Sequence, residues 1–195
     1  DSERGLAAID RINNMHGRYK IPNRDYLYVL STFVFEPIRW MDQWGWRPFT
    51  TGEKEAILNN YLKLGGRMHI TDIPQTLADF EAFNLAYERE HFEFHASNAA
   101  VGNKTLDLLL GFYMPKWLFP VGKPVALCLM DAPLRKAMGY QKPPNWLIKT
   151  IKQSMILRGR LLRWLPERKK AMLGTLRKRK TYPQGYKVEE LGTFR

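Results

Sequence analysis

The chain has 195 residues, is 45% hydrophobic and carries six Trp, nine Tyr and ten Phe, a composition that excludes a disordered chain and suits one globular domain or a piece of a larger one. Its net charge of +12 is unevenly placed: residues 1–100 hold 11 Lys and Arg against 14 Asp and Glu, and residues 101–195 hold 20 against 5, so the two halves face different surroundings. Cys128 is the only cysteine, which excludes an intrachain disulfide framework and a cysteine-based zinc site.

The chain opens at Asp1 directly in a helical pattern, which reads as a fragment or a processed chain with no leader in view. Leu6, Ile9, Ile12, His16 and Tyr19 recur at spacings of three and four, predicting a helix over residues 2–19 with those side chains on one face. Pro22 ends it and Asn23 can cap a second helix over 24–44. That segment is apolar nearly all round, so it is expected to be buried, and Pro37 predicts a kink or a change of helix. Gly45 stops it. Thr51 starts a helix reaching about Met68, Asp72-Ile73-Pro74 makes a turn, and Thr76 begins another helix with Phe80, Phe83, Tyr87, His91 and Phe94 on one stripe.

Leu106 to Met130 is strongly apolar, but Lys116, Lys123, Pro115, Pro120 and Pro124 interrupt it. A membrane span needs ~20 continuous apolar residues, so a buried or interfacial hairpin is the expectation. Further helices are predicted at 144–165 and 166–180, and Tyr182-Pro183-Gln184-Gly185-Tyr186 cannot stay helical. Alternating strand patterns and internal repeats are lacking. The fold class is therefore all-α, a multi-helix orthogonal bundle, with residues 141–195 as a basic extension of a region covering 1–140.

Three constellations carry chemistry. His16 sits late in the first helix on its apolar stripe, where a neutral ring nitrogen could bind a haem iron while hydrocarbon covers the porphyrin; the other nitrogen could bond the Ile12 carbonyl one turn back. Taken alone, an ordinary core histidine is the commoner explanation. His91 and His95 lie four apart, with Glu88 forming Glu-x-x-His, but a carboxylate-bridged di-iron site needs a second such motif and there is none; a solvated acidic face accounts for them better. Cys128, in an apolar run, reads as a buried and unreactive thiol. The third constellation spans Lys149 to Lys180, with 12 Lys and Arg against Glu167 alone. Interleaved Met155, Ile156, Leu161, Leu162, Trp164 and Leu165 make it an amphipathic basic region. It suits a solvated face or an anionic membrane surface, with nucleic acid the least favoured partner.

The segments Asp1-Ser2-Glu3-Arg4-Gly5, Ile12-Asn13-Asn14-Met15-His16-Gly17-Arg18-Tyr19 and Asp25-Tyr26-Leu27-Tyr28-Val29-Leu30-Ser31-Thr32-Phe33-Val34-Phe35-Glu36-Pro37 resemble the core of the mpaB-type oxygenases, relatives of the rubber oxygenase latex clearing protein. Phe80-Glu81-Ala82-Phe83-Asn84, Met130-Asp131-Ala132-Pro133-Leu134 and Thr181-Tyr182-Pro183-Gln184-Gly185-Tyr186 extend the resemblance over most of the chain. It implies an all-helical haem-binding domain with b-type haem on His16, the metal ligand. It also implies dioxygen chemistry, typically oxidative cleavage of an isoprenoid carbon–carbon double bond. Such a substrate favours an intracellular, membrane-associated location, the endoplasmic reticulum in a eukaryote.

The family's distal Arg, Thr and acidic groups lie upstream of the proximal His, and only fifteen residues precede His16. The expectation is an incomplete domain that supplies the proximal half of the haem site and is inactive alone, with His16 beside an open cleft. Arg4 and Arg11 share the proximal helix and do not replace the distal groups. Ile12, Tyr19, Leu30, Phe33 and Val34 are the candidate cofactor walls, chosen by helical face. The rival of a different class is a non-catalytic basic helical module that binds a membrane or nucleic acid.

Overall fold

The computed structural model describes residues 2–166, 170, 174 and 182–192. Among them are eight α-helices, short 3-10 turns and no β-strand, so the all-α class holds. The helix expected at 166–180 lies almost wholly outside the described residues. The chain forms two compact units. One comprises residues 1–34, 51–80 and 165–195, the other 35–50 and 81–164.

In the first unit, Ser2 Oγ accepts from the Gly5 N–H at 3.1 Å and starts α1 (Glu3–His16), satisfying one of the orphan donors of a helix start. The helix stops at His16, with Gly17 as its cap. Tyr19 therefore lies beyond the helix and leaves the stripe predicted for it. None of the α1 residues is buried. Val188–Glu190 forms a 3-10 turn packed on α1, where Arg11 Nε donates to the Leu191 carbonyl at 2.8 Å.

Helix α2 (Asn23–Trp44) runs unbroken through Pro37, which is solvent-exposed. The expectation of a wholly buried helix is corrected. Leu27, Leu30, Ser31, Val34, Phe35 and Ile38 form a buried stripe, but Val29, Phe33 and Trp40 are half-exposed. The apolar residues outnumber the neighbours available to cover them, so one stripe is covered and the opposite face keeps its hydrophobic side chains in view.

Helix α3 (Thr51–Arg67) is drawn close to α2 at Gly65, where an added Cβ would lie 2.6 Å from Leu30 Cδ2. The chain then turns sharply. Ile70 N–H donates to the Gly65 carbonyl at 3.0 Å, and His69 takes a left-handed φ of 60°. Thr76 caps α4 (Leu77–His91), its hydroxyl accepting from Asp79 N–H at 3.1 Å. The core of this unit is Leu27, Leu30, Val34, Leu58, Ile70 and Phe80, with Val34 and Phe80 wholly enclosed.

In the second unit, α4 ends at His91, so Phe94 falls outside the helical stripe and its ring lies against Gly139 instead. Helix α5 (Ala96–Gly111) begins ten residues before the apolar run that announced it, because Ser97, Asn98, Gly102 and Asn103 are weak helix formers that give no sequence signal. A turn, a 3-10 segment (Lys116–Leu118) and α6 (Phe119–Leu129) complete the expected hairpin. Gly122 lets Leu110 and Met114 close against α6, and Lys123 pairs with Asp107 at 2.7 Å. Short α7 (Ala132–Ala137), which the sequence did not announce, is capped by Asp131. Helix α8 (Asn145–Leu162) packs on α6 and approaches the Trp44 carbonyl through Gly159. No helix among the described residues is long and apolar enough to cross a membrane.

Candidate functional site

The end of α1 and the turn after α3 line an open cleft of about 310 Å³ within the first unit, at the lower end of ligand-site volumes. Its residues include Asn13, His16, Gly17, Tyr19, Tyr26 and His69. Three hydrogen bonds made by two asparagine side chains fix the walls. Asn13 Nδ2 donates to the Arg67 carbonyl at 2.9 Å, tying α1 to the end of α3. Asn23 grips Thr71 from both sides, its Nδ2 donating to the Thr71 carbonyl at 3.1 Å and its Oδ1 accepting the Thr71 N–H at 2.9 Å. These bonds hold the His69 turn in a backbone conformation that a non-glycine residue rarely adopts.

His16 is half-buried and its ring lies 5.3 Å from that of Tyr26, centroid to centroid. Neither ring nitrogen is hydrogen-bonded among the described residues; the bond to the Ile12 carbonyl expected from the sequence is not made. An imidazole on a cleft wall with both nitrogens unspent is available as a ligand.

Of the six residues proposed for the cofactor, the cleft brings together His16 and Tyr19. Ile12 is half-buried on α1. Leu30 and Val34 lie in the core, and Phe33 stacks on Tyr61 at 5.8 Å on the outer face of α2. Sequence reasoning missed His69 and Tyr26 as neighbours of His16. His69 is 53 positions away in the chain, and no spacing rule joins the end of one helix to a turn that distant.

The other candidates take structural positions. His95 caps α5, its Nδ1 accepting the Ser97 N–H at 3.2 Å. His91 ends α4 with its ring 4.2 Å from Tyr87. The helix stops between them, so the shared helical face inferred from their spacing does not exist. Burial pushes the Cys128 thiol above its ordinary value, with nearby Arg135 opposing, which disfavours the reactive thiolate.

A haem carries four ring nitrogens of its own and asks the protein for an axial ligand and a wall. The donor set here suits that demand: an unbonded His16 on an open, partly aromatic cleft. It does not suit a metal ion caged by protein alone, since no group of three or more His, Cys, Asp or Glu side chains converges among the described residues.

Comparison with known proteins adds the family. The chain is 28% identical over 162 residues to the ER-bound oxygenase mpaB′ of Penicillium brevicompactum, covering 74% of this chain and 38% of that protein. It is likewise 28% identical over 155 residues to the ER-bound oxygenase mpaB of Penicillium roqueforti, covering 71% of this chain and 52% of that one. The matches thus span about half of these relatives or less. No solved structure matches the chain significantly. Residues 1–164 match the family described as ER-bound oxygenase mpaB/B′/rubber oxygenase, catalytic domain, and the chain belongs to that family.

Proposed function

We propose that this chain is the proximal, haem-ligating part of a haem-b-dependent oxygenase that acts on a hydrophobic isoprenoid- or lipid-like alkene. The observation that carries the reading is His16: an imidazole with no hydrogen-bond partner among the described residues, on the wall of an open cleft, in a chain of an oxygenase family. The chemistry that bound haem supplies is activation of dioxygen for oxidative cleavage of a carbon–carbon double bond.

The chain's own residues would hold and orient. His16 would hold the haem iron, and Gly17 would leave room beside it for a planar group. Tyr19 and Tyr26 offer aromatic surface to the porphyrin, and the Asn13 and Asn23 bonds keep the cleft open. Leu30 and Val34 would back this wall from the core, while Ile12 and Phe33, the latter on the outer face of α2, do not line this cleft and remain candidates only. Arg11 is engaged with the Leu191 carbonyl, so no distal group is assigned within α1. The distal groups are left unassigned within this chain.

The charge of α8 favours attachment to an anionic membrane surface, where an isoprenoid substrate would partition. Lys149, Lys152, Arg158, Arg160 and Arg163 are exposed beside exposed Leu157, Leu161 and Trp164. The names of the relatives, both ER-bound oxygenases, agree with an endoplasmic-reticulum location. On this reading residues 1–140 hold haem and 141–195 are a basic extension.

Titration of the full-length protein with haem tests the proposal. The expected result is a stoichiometric Soret band that His16→Ala abolishes while far-ultraviolet circular dichroism stays helical. Unchanged haem spectra in that variant would overturn the assignment.

A further inference from the structure

The hairpin between α5 and α6 ends in side chains that the fold leaves uncovered. Tyr113 is 80% exposed, Trp117 76% and Val121 67%, with Lys116 exposed among them. Their neighbours Leu110 and Met114 turn inward against Gly122. The outward set is therefore a consequence of which residues close the hairpin, not of a loose loop. Polar turn residues would satisfy the same turn at lower cost in exposed apolar surface, so this composition calls for an apolar environment.

Its chemistry selects among environments. Tyr and Trp have an apolar body and a polar edge, the combination found at the level of lipid headgroups. Lys116 sits between them, where its stem can lie in the acyl boundary and its ammonium among phosphates. From Leu108 to Arg163 the sequence holds ten Lys and Arg against Asp131 alone, with Lys123 paired to Asp107 just upstream, so this part of the chain favours anionic headgroups. No described helix is long and apolar enough to cross a bilayer, and entry into the interfacial layer requires none.

We propose that the α5–α6 hairpin is an interfacial insertion element, with Tyr113 and Trp117 entering the headgroup layer of an anionic bilayer and Lys116 pairing with lipid phosphate. This deepens the membrane-surface reading of α8, and it differs from it in demanding insertion as well as adsorption.

Cys128 is the only cysteine of these 195 residues, so the full-length protein with Tyr113→Cys, and with Cys128 and any cysteine outside these residues changed to Ser, can carry one environment-sensitive fluorophore at the tip. A second probe at Glu93→Cys in the same background serves as reference. Vesicles of phosphatidylcholine with phosphatidylserine should raise and blue-shift the emission at 113 and leave 93 unchanged. Trp117→Ser in the unlabelled protein should weaken vesicle binding about tenfold or more, the range for losing one buried aromatic. Lys149→Glu with Lys152→Glu should reduce adsorption, yet bound molecules should keep the shifted emission at 113. Binding with no change at 113 would overturn insertion while leaving adsorption by α8 intact. No vesicle binding at all would overturn both. An apolar signal at 113 before vesicles are added would mean that protein covers the tip, and would equally overturn the proposal.

Discussion

The unit that holds His16 and the unit that holds α5 to α8 differ in how they use their hydrophobic residues. In the first, the apolar stripe of α2 is spent on a closed core around Val34 and Phe80, both wholly enclosed, while the end of α1, the turn after it and the first turn of α2 place an imidazole and two tyrosines beside a cleft. In the second, core residues such as Leu106, Leu110 and Cys128 are buried, yet large side chains remain on the surface: Leu108, Phe112, Tyr113, Trp117, Trp146 and Trp164 are all more than half exposed. The same segment carries the cationic excess. Enclosure beside a cleft and exposure beside cations are different uses of the same kinds of apolar side chain. They fit a division of labour between holding a cofactor and meeting a surface.

The comparison breaks most sharply if the enclosed core of the first unit is opened. Phe80→Ala removes a ring from a site with no solvent access and is expected to cost about 3–5 kcal/mol, read as a lowered denaturant midpoint. If the cleft depends on that core, haem retention should fall in the same variant. A smaller effect belongs to the second unit. An added Cβ at Gly159 would lie 2.8 Å from the Trp44 carbonyl oxygen, where backbone cannot yield easily. Gly159→Ala is expected to cost about 1–3 kcal/mol with haem affinity unchanged. A parallel loss of haem affinity would mean that the two units do not act independently.

The smallest effect concerns Tyr140. Burial raises its phenol above the ordinary value, Lys123 opposes and Asp107 reinforces. Its folded-state value is raised, so the neutral phenol's contribution is fully present below pH ~10. That contribution is lost as pH climbs through the folded-state value. The hydroxyl has no hydrogen-bond partner among the described residues, so Tyr140→Phe should change stability at neutral pH by no more than about 1 kcal/mol. It should also flatten the alkaline end of the stability profile, as thermal melts across pH would reveal.

Much of the fold was legible. The apolar segment between Pro22 and Gly45 announced α2, and the proline-broken run announced the α5–α6 hairpin. Three readings failed for definable reasons. Periodicity extended α1 to Tyr19, but Gly17 takes the cap and ends the helix. Near-continuous hydrophobicity in α2 suggested full burial, but pattern records what a residue prefers and not whether a neighbour exists to cover Phe33 or Trp40. The spacing of His91 and His95 assumed an unbroken helix, whereas His95 begins the next one. The site was legible only in part. His16 stood out through its neighbours in sequence, while His69 and Tyr26 join it through tertiary packing that no local pattern encodes.

Ligation of haem iron by His16 is the central proposal, and removal of its side chain alone does not separate ligation from structure. His16→Gly opens a space where free imidazole can enter. In full-length protein loaded with haem, His16→Gly is expected to lose the Soret band of the parent, and added imidazole is expected to restore it with the parent's spectral shape. A His16→Gly protein that keeps its haem spectrum without imidazole would contradict the claim.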